Sequence, residues 1–471
     1  MPDTPPGAEI LNLRADFPPV PTAAWEAAIE KDLKGADYEE RLLWRTEEGI
    51  AVRPYYRSGD LAGLEGQIQS RPAEFPFVRG SGRGWEIAEE LGAPSNAIRA
   101  DAWHESGANA VQELAYAVAA GVERLADLAA DQAVDAAARQ VEFVFAVGPT
   151  YFLEIAKLRA ARLLWAQAVS AFGAEDRNSC LMRLSVRTSR RNKSVYDGYT
   201  NLLRATTEAL AAAVGGCDRL TVDPLGFEPH LAVNVQRILQ EESHVDAVAD
   251  PAGGSYYVEA LTDLLARAAW KMFQQVEAEG GYGKAQASGS IEEAIGQSRA
   301  AREKAVATRR QTLVGVNNYP NLNEKTSETE AAAEHRLAVP FERIRKRTAR
   351  HARQKGRYPT VLLLERGDLK MRIARANFSM NFLGCAGFDI AESEECGGVE
   401  PDLIVLCSSD AEYLALARET CPRVTVPVMV AGNPKNQEEA LRAAGVQGFI
   451  HDMSDAVQTL TELQDLLGME A

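Results

Sequence analysis

The segment from residue 361 to residue 390 constrains the fold of this chain more than any other. It begins with four apolar residues, continues with the period of an amphipathic helix, and reaches a second strand pattern after Gly387. A strand, a helix and a second strand in this order open a doubly wound α/β domain with a parallel sheet. Further strand patterns lie at residues 403–407, 426–430 and 448–450. The sequence therefore predicts an α/β domain over residues 360–471 with a flavodoxin-like strand order.

Strand and helix patterns also alternate through the middle of the chain, within residues 95–335. The predicted strands are Ala97–Ala102, Val141–Val147, Leu181–Thr188 and Arg219–Asp223. Each is followed by a helical pattern, and the last long helix is predicted to end at Glu279. Such alternation predicts a second parallel sheet or a barrel.

Length, charge and cysteine spacing narrow the class of protein. The chain has 471 residues, enough for two or three domains, and its net charge of −16 argues against nucleic acid as a partner. The basic cluster at residues 343–357 is therefore interpreted as a solvated linker helix. No apolar run could span a membrane, and the first ten residues lack the pattern of an export signal. We expect a cytoplasmic protein with reduced thiols, no metal site and no membrane partner.

The first 80 residues predict a helix and a hairpin. Thr22 is the expected N-cap of a helix that ends at Lys34, and two strand patterns follow at residues 42–46 and 49–56. A short helix and a hairpin are marginal unless they pack on something. They form either a surface element of this chain or an arm that wraps a second subunit.

Several long motifs resemble the methylmalonyl-CoA mutase family. They lie at residues 44–56, 77–80, 107–116, 154–165, 250–259 and 314–317. The resemblance covers most of the chain from residue 17 onwards. It implies an N-terminal arm at residues 1–80, part of a TIM-type (β/α) barrel at 81–335, a linker at 336–359 and a cobalamin-binding type of domain at 360–471.

This sequence has no segment that corresponds to the first four barrel strands of the family. A full barrel needs about 250 residues and eight strands. Only residues 81–96 separate the motif at 77–80 from the first predicted strand, and they cannot supply four strand–helix units. We therefore expect about half of a barrel, with two open edges and an uncovered apolar interior, which favours an obligate oligomer. The side chains expected to be uncovered are Ile98, Phe143, Phe145, Leu184 and Val222.

The cofactor motif of the family is altered in this chain. Family members carry Asp-x-His-x-x-Gly after the first strand of the C-terminal domain, and its histidine ligates the cobalt of cobalamin. Lys370, Arg372 and Arg375 stand at these positions. An imidazole offers a lone pair to a metal, whereas a guanidinium has only donors and stays charged. The positions that contact the nucleotide tail of the cofactor are occupied here by Ser408, Ala431 and Gly432. The resemblance implies a degenerate site and no cofactor in this chain.

Catalytic positions of the barrel are altered as well. Ala102 stands where catalytic subunits of the family have a histidine, and Arg187 stands where they have a glutamine. His104 matches a histidine of the family's small, non-catalytic subunits. His104 and Arg187 are the candidate catalytic residues, although a lone histidine at a strand end is often structural.

The resemblance therefore implies a non-catalytic small subunit of a heteromeric, adenosylcobalamin-dependent acyl-CoA mutase. A catalytic large subunit would hold the cofactor and the acyl-CoA, and the complex would be a heterodimer, or else the chain a homodimer. Two alternatives stay open. The chain is an acyl-CoA-binding isomerase with a pocket around His104, Arg183 and Arg187, or it is a regulatory or loading module for a mutase.

Overall fold

The computed structural model describes residues 17, 19–90, 92, 96–324 and 335–470. The chain folds into two compact units, Met1–Arg57 and Ser58–Ala471. Within the described ranges just given, no helix is both long and apolar enough to cross a membrane.

The first unit contains the predicted helix and hairpin. Its elements are α1 Thr22–Leu33, α2 Tyr38–Leu42, β1 Trp44–Arg45 and β2 Ala51–Val52, and the two strands pair antiparallel. Trp25 stacks on Tyr55 with ring centroids 5.1 Å apart, so the helix packs on the segment that follows the hairpin. The predicted cap at Thr22 is wrong, because Pro21 occupies the N-cap position without a side-chain hydrogen bond.

The first sheet of the second unit is parallel, and its described strands follow the order β3-β7-β6-β5-β4. The strands are β3 Glu86–Ala88, β4 Ile98–Arg99, β5 Glu142–Val147, β6 Arg183–Thr188 and β7 Arg219–Thr221. Strand β3 was not among the four predicted strands. The predicted strand Ala97–Ala102 is too long, because the chain becomes helical at Ala100.

Helices α5, α7 and α8 pack on this sheet, and α10 packs on α5 and α7. The helices are α3 Glu65–Gln69, α4 Ala100–Ser106, α5 Ala110–Ala129, α6 Val134–Ala138, α7 Tyr151–Ala171, α8 Gly198–Val214, α9 Pro229–Arg237, α10 Tyr256–Ala278, α11 Tyr282–Ser288 and α12 Ser290–Ala307. Helix α5 begins with a capping box between Asn109 and Gln112, and Ser255 caps α10.

Side chains of the first sheet alternate between two faces. Phe143 packs edge-on against Trp165 of α7, with ring centroids 4.9 Å apart, so its face is turned towards the helices. The register pairs Phe143 with Leu184 and Phe145 with Val186, and these side chains are buried on the same face. The expectation of an uncovered apolar interior is therefore wrong at these positions, because helices cover them.

The opposite face of the sheet is mainly polar. The register places on it Glu86, Ala88, Arg99, Val144, Ala146, Ser185, Arg187, Arg219 and Thr221. Arg219 and Glu86 form an ion pair at 3.1 Å. The remaining two positions expected to be uncovered, Ile98 and Val222, lie on the helix-covered face with Phe143; Ile98 is partly buried and Val222 is buried. On the polar face, Glu86 and Arg99 are exposed whereas Val144 and Ala146 are buried, so little apolar area is exposed there.

The second sheet is also parallel, and its described strands follow the order β9-β8-β10-β11-β12. The strands are β8 Thr360–Glu365, β9 Asp389–Ser393, β10 Leu403–Cys407, β11 Val428–Ala431 and β12 Gly448–Ile450. The helices around it are α13 Val339–Lys355, α14 Leu369–Gly384, α15 Tyr413–Thr420, α16 Glu438–Ala443 and α17 Ala456–Leu466. The prediction of an α/β protein with parallel sheets is confirmed.

Both faces of the second sheet are covered. Val361 and Leu363 of β8 enter one apolar cluster, and Leu362 and Leu364 enter another. Burial on both sides explains why these strands are unbroken apolar runs in the sequence.

Helix α13 carries most of the basic cluster, yet it is not wholly solvated. Phe341 and Ile344 belong to the apolar cluster of the second sheet, and the Arg345 guanidinium lies 4.2 Å from the centre of the Tyr196 ring. The expectation of a solvated linker helix therefore holds only for its outer face.

Two helical glycines give a matched test of the packing on the first sheet. A Cβ at Gly121 of α5 would lie 2.7 Å from Phe143 and 2.9 Å from Trp165, whereas a Cβ at Gly296 of α12 meets nothing closer than 3.9 Å. We predict that Gly121→Ala lowers the free energy of unfolding by about 1–3 kcal/mol through overpacking. Gly296→Ala should raise it by up to about 1 kcal/mol, because alanine favours a helix. Urea denaturation measures both, and a stabilised Gly121→Ala variant contradicts the packing.

Candidate functional site

The carboxyl end of the first sheet gathers buried polar side chains. Ligand sites of parallel α/β proteins lie at this end. His104 belongs to α4, directly after β4, and Ser189 and Asp223 lie just beyond β6 and β7. All three are buried.

His104 bridges two other buried groups. Its Nε2 lies 2.9 Å from the hydroxyl of Ser189, and its Nδ1 lies 3.3 Å from a carboxylate oxygen of Glu113 on α5. A neutral imidazole with its proton on Nδ1 satisfies both contacts, since it donates to Glu113 and accepts from the hydroxyl of Ser189.

Serine, histidine and glutamate in this order have the connectivity of a catalytic triad, but the surroundings oppose that role. Burial, together with the positive charge of Lys157, lowers the pKa of His104 to about 4. Such a group is a weak general base near neutral pH. Ser189 is also almost fully buried, so an acyl substrate could not reach its hydroxyl. The geometry therefore favours a structural histidine.

The carboxylate of Glu113 also belongs to a buried ion pair with Lys157, and this pair supplies hydrogen bonds to the backbone near the edge of the first sheet. Strand β4 ends at Arg99, so the backbone of Ala146 in β5 has no strand beside it on that side. Its amide donates to Glu113 at 3.2 Å, and its carbonyl accepts from the ammonium of Lys157 at 2.7 Å. Lys157 also lies 2.7 Å from Glu113. Removing one partner of such a buried pair typically costs about 3–5 kcal/mol.

A second buried network joins two of the family motifs. Arg159 of α7 contacts Asp250, and it forms an ion pair with Glu259 of α10 at 2.7 Å. Glu259 also accepts from the backbone amide of Gly254 at 2.9 Å and from the side chain of Gln67 at 3.1 Å. The motifs at residues 154–165 and 250–259 are therefore bonded to each other.

Sequence reasoning missed these networks. The available signal was the set of charged residues inside an otherwise apolar helix α7, namely Glu154, Lys157, Arg159 and Arg162, all of which are buried. A long helix with charges on every side needs buried partners, because an unpaired internal charge is too costly.

Arg187, the other catalytic candidate, is held by carboxylates. Its guanidinium lies 3.0 Å from Asp223 and 3.7 Å from Asp101. Arg183 begins the same strand and pairs with Glu142 at 2.9 Å, with 61% of its side chain exposed. Four residues of strand separate the two arginines by about 13 Å. The suggested pocket around His104, Arg183 and Arg187 is therefore not formed, because Arg183 lies at the opposite end of the sheet.

The loop after β6 is bonded to the segment that leads into the second sheet. The Leu337 amide donates to the Arg191 carbonyl at 2.9 Å, and Arg336 donates to the Lys193 carbonyl at 3.1 Å. The carboxylate of Glu342 in α13 accepts from the Val195 amide at 2.9 Å. These bonds fix α13 beside the carboxyl end of the first sheet.

The altered cofactor positions lie at the carboxyl end of the second sheet, on the first turns of α14. Arg372 pairs with Glu394 at 2.9 Å, and Arg375 pairs with Asp410 at 3.2 Å, while Lys370 is exposed. The other three predicted positions lie at the same end, and they are Ser408, Ala431 and Gly432. A Cβ on Gly432 would lie 3.3 Å from the Arg375 guanidinium carbon, so this side chain occupies the space beside the glycine.

Glu412 closes the crevice between β8 and β10. One of its oxygens accepts from the Asp368 amide at 3.1 Å and from the hydroxyls of Ser408 and Ser409. These hydrogen bonds lower the pKa of Glu412 to about 2. Any side chain at Gly367 would collide with this carboxylate. The sheet order reverses between β8 and β10, which is where doubly wound domains bind ligands.

The residues at this end do not suit a metal-bearing cofactor. The candidate ligand position holds a cation in an ion pair, and the crevice is crossed by hydrogen bonds of the chain itself. Across the described ranges, no group of three or more His, Cys, Asp or Glu side chains could hold a metal ion.

The features above define a parallel α/β protein with two sheets, in which ion pairs of the chain itself hold Arg187 and Arg375 at the carboxyl ends of the strands. A family model described as methylmalonyl-CoA mutase matches residues 93–363. A methylmalonyl-CoA mutase small subunit of Porphyromonas gingivalis is 30% identical over 617 positions, which cover 97% of this chain and 99% of that protein. The chain therefore belongs to the methylmalonyl-CoA mutase family.

Two further relatives differ in the share of this chain that they match. A probable methylmalonyl-CoA mutase small subunit of Mycobacterium bovis is 35% identical and covers 86% of this chain and 70% of that protein. A methylmalonyl-CoA mutase of Cereibacter sphaeroides is 43% identical, but over 48% of this chain and 33% of that protein. The extended matches are thus to small subunits, and the prediction of a family member of this type is confirmed.

The alignment with the Porphyromonas gingivalis protein also bears on the expected loss of the first four barrel strands. Its 617 positions exceed the 471 residues of this chain by 146, although nearly all of both proteins is aligned. The additional positions are therefore internal segments that the relative has and this chain lacks.

The low pKa of His104 makes stability depend on pH. Above pH 6.5 the imidazole is neutral in both states. As the pH falls from 6.5 towards 4, the unfolded chain takes up a proton that the folded chain does not, so the free energy of unfolding decreases. The shift corresponds to about 3 kcal/mol. We predict a shallower decrease for His104→Gln than for the unmodified chain.

Urea denaturation at several pH values between 4 and 7 measures this difference. His244→Asn is the control, because His244 is exposed and its left-handed backbone suits asparagine. Parallel pH profiles for the unmodified chain and His104→Gln would contradict a buried, neutral histidine.

Proposed function

We propose that this chain is the non-catalytic small subunit of a heteromeric, adenosylcobalamin-dependent methylmalonyl-CoA mutase, and that it stabilises the catalytic large subunit. The observation that carries the proposal is that the chain's own ion pairs hold the candidate catalytic position Arg187 and the candidate cofactor position Arg375. The names of the relatives that match most of the chain agree with it. Substrate and cofactor then belong to the partner.

The proposed architecture is half of a TIM-type barrel followed by a flavodoxin-like domain of the cobalamin-binding type. The first sheet is parallel with helices packed on one face, and the order of the second is that of flavodoxin-like domains. The internal segments found in the longer relative agree with a shortened barrel.

A heterodimer is the proposed assembly. The name small subunit implies a large one, and the first unit presents aromatic side chains of the kind that anchor interfaces, including the partly exposed Trp25 and Trp44. The expected uncovered apolar face does not support this assembly, because the face of the first sheet opposite the helices is mainly polar. Free cysteines, most of them buried, suit a reducing compartment, and we place the complex in the cytoplasm.

The assembly test uses the full chain and a methylmalonyl-CoA mutase large subunit from the same organism. We predict that the two co-purify as a heterodimer, that the large subunit alone melts at a lower temperature, and that the small chain alone has no mutase activity. A chain without residues 1–57, or with Trp25→Ala and Tyr55→Ala, should bind the large subunit more weakly. Analytical ultracentrifugation gives the mass of each species.

Each other outcome of this test supports a different function. Mutase activity of the isolated chain supports an isomerase in its own right. Transient binding that accelerates cofactor loading supports a loading module. A homodimer of this chain that does not bind the large subunit would exclude the proposed heterodimer.

The cofactor test uses absorbance of adenosylcobalamin. We predict that the purified chain leaves the spectrum of the free cofactor unchanged, because Arg372 has no lone pair to donate. Arg372→His alone should not restore binding, since Lys370 stands where the family has the orienting carboxylate and Arg375 remains as a cation one helical turn away. Arg418→His, on α15, is the control for a new histidine. A histidine-ligated spectrum with the unmodified chain would falsify this prediction.

A further inference from the structure

The order of strands in the first sheet identifies which part of a barrel this chain lacks. The described strands follow the order β3-β7-β6-β5-β4, and neighbouring strands are parallel. Strands β3 and β4 are consecutive in the chain, yet they lie at opposite edges of the sheet. Strand β3, the first of these strands in the chain, pairs with β7, the last of them. The first and last strands of the sheet are therefore neighbours.

This pairing is the one that closes a barrel. In a barrel of eight parallel strands, the first strand pairs with the eighth. A chain that kept only strands five to eight would have no strand on the far side of the eighth. A chain that kept strand one and strands five to eight would have the order 1-8-7-6-5, which is the order observed here. Strand β3 then corresponds to strand one, and β4 corresponds to strand five.

The lengths of the segments agree with the loss of strands two to four. Strands β4 to β7 begin at residues 98, 142, 183 and 219, which are 44, 41 and 36 residues apart, so one strand–helix unit takes about 40 residues. The 146 additional positions in the Porphyromonas gingivalis alignment therefore hold between three and four units. Residues 89–97, which join β3 to β4, are too few for one unit. Because β3 supplies the first strand, three units are missing.

We infer that the first sheet is a barrel from which strands two to four have been removed between residues 88 and 98, and that the gap between the outer edges of β3 and β4 accepts three parallel strand–helix units joined in cis. The inference rests on the architecture given with the proposed function, and it replaces the expected loss of four strands by a loss of three. Since β3 and β4 run in the same direction, inserted parallel strands can pair with both edges.

One backbone amide on the outer edge of β3 can report on such pairing. The Glu86 amide donates to the Asp218 carbonyl, beside β7, at 2.9 Å. The carbonyl of the same peptide unit, that of Trp85, points the opposite way and accepts from the side chain of Gln240 at 2.8 Å. Backbone amides of successive strand residues point to alternate sides, so the Ile87 amide also points to the outer edge. Its exchange rate with solvent therefore measures whether a strand lies beside β3.

The test replaces residues 89–97 of the full chain with the segment that the Porphyromonas gingivalis protein has between the positions aligned with residues 88 and 98. We expect a crystal structure with eight parallel strands in a closed sheet, in which the first inserted strand pairs with β3. Hydrogen exchange of the Ile87 amide should slow by about a hundredfold or more. The control has the same segment between Gly397 and Gly398, in an exposed loop, and should leave this exchange rate unchanged.

A reciprocal deletion keeps the inference testable if the chimera does not fold. Removal of the same segment from the Porphyromonas gingivalis protein should leave a folded chain with a cooperative thermal transition. A longer deletion, which also removes the counterparts of residues 84–88, leaves the last barrel strand without a neighbour, so its melting temperature should be lower.

Three outcomes would overturn the inference. They are a shorter deletion that does not fold, equal melting temperatures for the two deletions, and a folded chimera in which the Ile87 amide exchanges as before. Neither experiment involves a large subunit, so a failure here is distinguishable from a failure of the proposed heterodimer.

Discussion

The buried pair of Glu113 and Lys157 holds the first sheet of this protein together where a neighbouring strand is missing. It joins α5 to α7, and it gives the backbone of Ala146 the two hydrogen bonds that β4 is too short to provide. The same carboxylate orients His104, which in turn binds Ser189 at the end of β6. One ion pair thus connects two helices and two strands. An apolar pair of the same volume would leave the amide and the carbonyl of Ala146 unsatisfied.

Sequence patterns predicted the bounds of a strand well where all of its residues are buried. The strand Leu403–Cys407 was predicted to the residue, because all five of its residues are buried and the apolar run has clear ends. The faces of the first sheet were assigned wrongly. Alternation along Phe143 and Phe145 shows that one face is buried, but only the contact with Trp165 shows which one. Strand β3 was missed because its three residues, Glu86–Ala88, carry no apolar pattern.

The candidate sites were predicted as positions but not as contacts. By the resemblance, Arg372 and Arg375 stand where the family has a histidine and a glycine, and the loss of a lone pair at residue 372 follows from the residue type alone. The closure of the crevice depends on Glu412, which no pattern marks, because its partners Asp368, Ser408 and Ser409 come from a different loop or from its own turn. Buried charges in α7 were likewise visible in the sequence, but their partners were not.

The polar face of the first sheet has a consequence for the behaviour of the chain on its own. A newly made half-barrel with a hydrocarbon interior would adhere to other chains, and its concentration would have to be matched closely to that of its partner. Here Glu86, Arg187 and Arg219 keep that face hydrated. The flanking strand β3 is short and begins with a charged residue, which discourages strand addition. A single copy of this chain therefore presents charges where a hydrocarbon half-barrel would present a surface that adheres to other chains.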